Sequence, residues 1–150
     1  NYPDLRFICF GSVPPGHMYT LDRDIEFHLD PPQDQIRNLY AQCDAWLTAS
    51  RSEGFNLPAM EAMACRTPVV ATKTGWPVEA VVTGWNGVLI DVDDVDGLAR
   101  GARWVLDLDE DQWGNVSEHA HQTVAESSWE KSLSLFERSL MNARNANSKT

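Results

Sequence analysis

Two short runs, residues 45–49 (AWLTA) and 68–72 (PVVAT), are apolar at nearly every position rather than at alternate ones. A strand with one wet face alternates. A strand that is apolar on both faces needs cover on both sides, which is the situation of a parallel sheet packed between helices. Between the two runs lie a glycine, a proline and the small apolar residues of a helix over 57–65. The order strand, helix, strand therefore constrains this chain more than any other feature.

The same alternation extends in both directions. Residues 5–10 form a β-rich run closed by Gly11, residues 12–20 hold two prolines and a glycine and predict a loop, and 25–29 predict a second strand. Pro31 and Pro32 set up a helix start with Asp34 in its first turn, and Ile36, Leu39, Tyr40 and Cys43 recur at helical spacing. Residues 77–82 suit a short helix ended at Gly84, and 87–90 a last strand. Asp93 is positioned to cap a helix whose apolar residues are Leu98, Ala102, Val105 and Leu106. Asp109 with Gln112, and Ser127 with Glu130, make capping-box patterns for two more helices. The terminal helix is expected to bury Trp129, Leu133, Phe136 and Leu140, and Trp104, Trp113 and Trp129 to pack between the later helices. The expected fold class is α/β: a Rossmann-like, mostly parallel sheet with helices on both faces. The expected domain covers residues 1–141, with a polar, frayed tail over 142–150.

With 150 residues and 43% hydrophobic content, the chain is long enough for one domain with a core of its own. The 22 acidic against 12 basic residues, a net charge of -10, disfavour nucleic-acid binding and leave no broad basic patch for anionic lipids. The sequence has no run of 18 apolar residues and no signal-like start, and it opens on Asn1, so a fragment of a longer polypeptide is expected. Cys9, Cys43 and Cys65 form no C-x-x-C pair and read as buried free thiols in a reducing compartment. The cluster Asp91, Asp93, Asp94 and Asp96 lacks the glycine and glutamate offsets of a calcium loop and reads as helix capping. His119 and His121 face different ways on a helix, and His28 ends a strand at the edge where ligands bind in such folds.

The chemistry concentrates in residues 52–61 (SEGFNLPAME). Gly54 permits a sharp turn and close approach of a ligand, and Pro58 pre-sets a first helical turn. The amides around Phe55, Asn56 and Leu57 are then donors at a helix N-terminus, suited to a diphosphate. Glu61, about one turn into the helix, can accept two hydrogen bonds from a vicinal diol such as a ribose. Glu53 precedes the helix and can address another part of the same ligand. By spacing alone, either glutamate serves equally well as a solvated helix-end residue.

The run S-R-S-E-G-F-N-L-P-A-M-E-A-M-A-C-R-T-P-V-V-A-T, residues 50–72, resembles the signature of the retaining GT-B glycosyltransferases usually called family 4. Its mark is a Glu, seven intervening residues and a second Glu (EX7E), then a small-residue helix and P-V-V-A-T. Residues 5–11 resemble that family's strand-then-glycine segment. Residues 36–50 resemble its L-Y-x-x-x-D-x-x-x-x-x-S helix and strand, 85–90 its G-x-N-G turn and strand, and 128–130 its S-W-E helix start. The resemblance implies the donor-binding C-terminal half of a GT-B fold. By position, Glu61 would take the ribose hydroxyls and Glu53 the donor sugar, and backbone amides from Gly54 to Leu57 would face the diphosphate. The implied reaction moves a sugar from a nucleotide-diphosphate sugar to an acceptor hydroxyl with retention, by front-face displacement within an ion pair or, less in keeping with the family, through Glu53 as covalent nucleophile. No metal and no cofactor is implied, because helix dipole and basic side chains stabilise the leaving diphosphate. The acceptor domain would belong to the rest of the same polypeptide. The resemblance points to a cytoplasmic protein whose only route to a membrane, peripheral at most, runs through that other part.

The chain also departs from the family pattern. The first βα unit, with the family's phosphate-binding Arg and Lys, has no counterpart here, so one neighbour strand is expected to be lacking and transfer by this chain in isolation to be slight. Lys73 and Arg51 are candidate substitutes for those cations, with ordinary surface charge as the plain alternative. Asn56 stands where glycine is commoner; a left-handed conformation is tolerable for Asn. Trp76 replaces a glycine, and either narrows the pocket, stacks on a sugar or base, or packs as a surface tryptophan. The second functional reading is a non-catalytic Rossmann-like module that binds a nucleotide or a partner as a regulator.

Overall fold

The computed structural model describes residues 2–13, 25–125 and 127–147. Five strands and six helices follow in the order β1 (Phe7–Gly11), β2 (Ile25–Leu29), α1 (Gln33–Ala41), β3 (Trp46–Thr48), α2 (Leu57–Ala64), β4 (Val69–Thr72), α3 (Pro77–Ala80), β5 (Gly87–Ile90), α4 (Val95–Leu106), α5 (Glu110–Ala125) and α6 (Trp129–Asn147). The loop expected over 12–20 lies outside the described residues beyond Val13. Among the described residues all strand pairs are parallel, as the doubly apolar runs require, and the α/β class stands.

The strands fall into two sheets rather than one continuous sheet: β1–β2 and β3–β4–β5. What joins them is a group of three rings. Phe10 lies 5.5 Å from Tyr40 and 5.6 Å from Trp46 by ring centroid, and Tyr40 lies 4.9 Å from Trp46. Two of these pairs meet edge to face, the arrangement that places a ring's positive edge on its neighbour's negative face.

β4 shows why helices cover both faces. All four of its residues are buried. Successive side chains point to opposite faces, so Val69 and Ala71 enter one cluster with Ala59, Met63 and Ala120, while Val70 enters another with Val88, Ile90 and Val105. Helices α2 and α5 supply the first cluster and α4 the second. Each buried valine contributes roughly 1.5–3 kcal/mol relative to an exposed one. Gly101 sets the height of α4 over the sheet, because a Cβ there would lie 2.6 Å from Val70 Cγ1.

Several local expectations shift by one residue or fail. The N-cap of α4 is Asp94, whose Oδ1 accepts from the Gly97 N–H at 2.7 Å, and not Asp93, which adopts φ 64° just before it. Asp94→Ala is expected to cost about 1 kcal/mol and to lower the melting temperature by roughly 2–4 °C in a scan of circular dichroism. Ser128 rather than Ser127 receives the Lys131 N–H at the start of α6. Asp109 and Gln112 form the expected reciprocal cap, at 2.8 and 3.2 Å. α6 does not bury its apolar stripe: Trp129 is 89% exposed, and Leu133, Phe136 and Leu140 also face solvent. The 3.6-residue period fixed one face of that helix correctly but could not supply an element to cover it. The helix continues through Asn147, beyond residue 141. Trp104 and Trp113 do pack, against the Val70–Val88 cluster, and the Trp113 indole donates to the Asp44 carbonyl at 2.9 Å. Cys9 is exposed, whereas Cys43 and Cys65 are half-buried and burial pushes both thiols up.

No described helix is long and apolar enough to cross a membrane.

Candidate functional site

The carboxyl ends of β3 and β4 open into loops that meet at the start of α2. The turn between β3 and α2 is held at its inner end by Asn56. That residue has φ 75°, in the left-handed region, and its side chain is buried, with Nδ2 donating to Thr48 Oγ1 at 3.2 Å. Asn56 therefore makes the sharp turn itself and spends its side chain on the strand end. It does not cap the helix with that side chain; Pro58 has no N–H and the Ala59 N–H donates to the Asn56 carbonyl at 3.2 Å, so the partial positive charge of the helix start is presented by the backbone up to Leu57. At Gly54 a Cβ would meet no atom within 4 Å. The turn is open on that side. Phe55 and Leu57 are both exposed around it, at 43% and 58%.

Glu61 lies on the first part of α2 and is half-buried. Tyr40, on α1, is 1% exposed and donates its hydroxyl to Glu61 Oε2 at 3.0 Å. Burial, followed by the Glu61 charge and this hydrogen bond, drives the phenol far above its ordinary pKa. Tyr40 is thus a neutral, fixed donor at any working pH. The bond occupies one of about four lone-pair positions of the carboxylate and leaves the others for a ligand. Tyr40 was legible only as a member of the apolar stripe of α1. The periodicity that marks it as core says nothing of where its hydroxyl goes.

Glu53, also half-buried, sits at the opposite end of the turn, beside Gly75. Gly75 has φ 61°, and a Cβ on it would come within 2.7 Å of the Phe55 carbonyl oxygen and 3.0 Å of Glu53 Cβ. Glycine is demanded there both by the backbone and by the space. The exit of β4 is tied to the exit of β3 by Thr72, whose hydroxyl donates to the Ser50 carbonyl at 2.6 Å.

The candidate cations are otherwise occupied. Lys73 Nζ donates to Asp91 Oδ1 at 2.7 Å and Arg51 Nε to Asp93 Oδ1 at 2.6 Å, all at exposed positions. Such pairs are worth at most about 1 kcal/mol, so they bias where these side chains rest without fixing them. The acidic cluster thus divides its work: Asp94 caps α4 and reaches Arg100, while Asp91 and Asp93 hold Lys73 and Arg51. His28 bonds Glu26 on its own strand at 2.9 Å, and His119 stacks on Trp85 at 4.5 Å between ring centroids. Neither histidine contacts the turn in these pairings.

Residues 17–123 match the family described as glycosyl transferases group 1. The chain is 35% identical over 144 residues to a D-inositol 3-phosphate glycosyltransferase of Corynebacterium urealyticum, covering 87% of this chain and 34% of that protein. Among solved structures, the C-terminal domain of the group 1 glycosyl transferase LpcC from Francisella tularensis is similar, with 30% identity, a TM-score of 0.62 and coverage of 69% of this chain and 53% of that one. Anabaena HepE in complex with UDP-glucose is similar at 25% identity and a TM-score of 0.68, over 81% of this chain and 33% of that one. The chain spans about a third of the length of the Corynebacterium relative.

Proposed function

Since the chain belongs to the glycosyl transferases group 1, we propose that it holds the nucleotide-diphosphate sugar of a retaining, family 4 type glycosyltransferase. One observation carries this reading. A carboxylate braced by a buried donor, Glu61 on Tyr40, stands next to a helix start whose first-turn amides are not closed by a side-chain cap. That arrangement suits a ligand with a diol at one end and an anion beside it. Glu61 takes the ribose hydroxyls, and the backbone of 54–57 faces the diphosphate. Glu53 contacts the donor sugar across the open side of the turn. The similarity to a protein that binds UDP-glucose supports a nucleotide sugar as the donor.

In the reaction the bond from the anomeric carbon to the β-phosphate oxygen breaks and the acceptor oxygen bonds to the same face of that carbon. The acceptor proton passes to the departing phosphate oxygen. The fixed amides of α2 stabilise the charge that develops on the diphosphate, and a hole of this kind needs no metal. The acceptor site belongs to the remainder of the polypeptide, so this chain alone is expected to bind donor and to transfer little.

Calorimetric titration with UDP, ADP and GDP and their glucose conjugates, with and without magnesium, tests this. One nucleotide is expected to bind with one-to-one stoichiometry, and its sugar conjugate to bind without magnesium. If no nucleotide binds, the reading fails. Binding of the bare nucleotide, without turnover of any conjugate by the full polypeptide, points instead to a non-catalytic nucleotide-binding module.

A further inference from the structure

The turn that carries Glu53 is fastened from a second loop, and the fastening residue is Trp76. Its backbone N–H donates to the Phe55 carbonyl at 2.8 Å. Its indole stacks on the Phe55 ring, with centroids 5.9 Å apart and planes 20° from parallel. The indole also packs against the buried cluster that contains Met63 and Val81, so it is anchored on its far side. Gly75, immediately before it, lets the two backbones come together: any side chain there would collide with the Phe55 carbonyl. Asn56 ties the inner end of the same turn to Thr48. The turn thus has one anchor to β3 and one to the loop after β4, with Glu53 and Gly54 at its open end.

We infer that Trp76 is a positioning residue for donor binding: through its stack on Phe55 and its bond to the Phe55 carbonyl it fixes the outer end of the turn, so that Glu53 meets the donor sugar without rearrangement. This rests on the nucleotide-sugar reading above. The physical basis is preorganisation. An exposed turn that must be ordered on binding loses affinity in proportion to the freedom it gives up, and a turn already held loses less. The anchor acts on the Glu53 end of the site, whereas Glu61 is held separately by Tyr40. Loss of the anchor should therefore weaken a nucleotide sugar more than the bare nucleotide.

The test uses Trp76→Ala and Trp76→Phe in the full polypeptide, with two readouts. The first is amide hydrogen exchange without ligand. In Trp76→Ala the amide of residue 76, which in the parent donates to the Phe55 carbonyl, should exchange at least about tenfold faster after allowance for the intrinsic rate of each residue, while those of β4 and of α5 stay as they were, and Trp76→Phe should restore most of the protection. The second is calorimetry with UDP and UDP-glucose. Trp76→Ala should bind UDP-glucose about tenfold more weakly and UDP no more than about threefold more weakly, with Trp76→Phe close to the parent. Unchanged exchange at residue 76 would overturn the anchoring role whatever the ligand. Faster exchange with equal losses for UDP and UDP-glucose, or with none, would overturn the positioning role. If the parent protein binds neither compound, the nucleotide-sugar reading fails and this inference falls with it, while the exchange data still decide whether Trp76 holds the turn.

Discussion

Glu61→Gln is expected to weaken binding of the best nucleotide in the panel by about 10- to 150-fold and leave the melting temperature within a degree or two. A carboxylate accepts from both hydroxyls of a diol, while an amide presents one acceptor and one donor, so one hydroxyl meets the wrong partner. Each hydrogen bond to a charged group is worth about 1.5–3 kcal/mol, and tenfold in affinity corresponds to about 1.4 kcal/mol. The fold is spared because the Gln carbonyl can still accept from Tyr40, whose hydroxyl lies 3.0 Å from the carboxylate. Glu61→Ala behaves differently. It loses the same affinity and also strands a hydroxyl on a residue only 1% exposed, a penalty of about 1–3 kcal/mol. Tyr40→Phe keeps the charge but frees the carboxylate to rotate, and should fall between the parent and Glu61→Gln in affinity. Calorimetry and a thermal scan on the three variants separate ligand contact from structural support. Parent-like binding by Glu61→Gln would remove the diol-binding role.

Gly87→Ala should be strongly destabilising. Gly87 opens β5 opposite Val69 of β4. A Cβ on it would press into the Val69 carbonyl oxygen, a backbone atom, and lie 3.1 Å from Val81 Cγ1. β4 cannot retreat, because β3 and β5 flank it and both buried clusters grip its side chains. Overpacking of this kind costs about 3 kcal/mol, which for a domain of this size lowers the melting temperature by roughly 6–12 °C. Gly114→Ala on α5 makes the contrast. A Cβ there meets nothing within 4 Å, and alanine should raise stability by about 0.5–1 kcal/mol in a helix interior. Equal melting temperatures for the two variants would contradict the packing of β4 against β5.

The strands at 69–72 and 87–90 were legible to the residue because short apolar runs end abruptly at polar residues, and that at 25–29 because apolar and polar residues alternate along it. The Asp109–Gln112 cap was legible to the residue, the other two only to within one position. Adjacent acids or serines offer the same side chain, and the choice between Asp93 and Asp94, or Ser127 and Ser128, belongs to the backbone torsion. The stripe on α6 was read correctly as a stripe and wrongly as core, since periodicity describes one helix and burial needs two surfaces. In the site, Glu53 and Glu61 stood out because one short segment carries both. Their supports did not: Tyr40 reaches Glu61, and Trp76 reaches Phe55, from elements far away in sequence. Asp91 and Asp93 likewise claim Lys73 and Arg51 across gaps of 18 and 42 positions, which no local pattern encodes.

The two sheets touch through Phe10, Tyr40 and Trp46, with no ladder of backbone bonds between them. Rings in van der Waals contact can slide by fractions of an ångström at little cost, whereas a ladder breaks or holds. That seam is consequently softer than the ladders on either side of it, and on warming β1 and β2 should loosen together as one unit while β3, β4 and β5 stay locked under their helices.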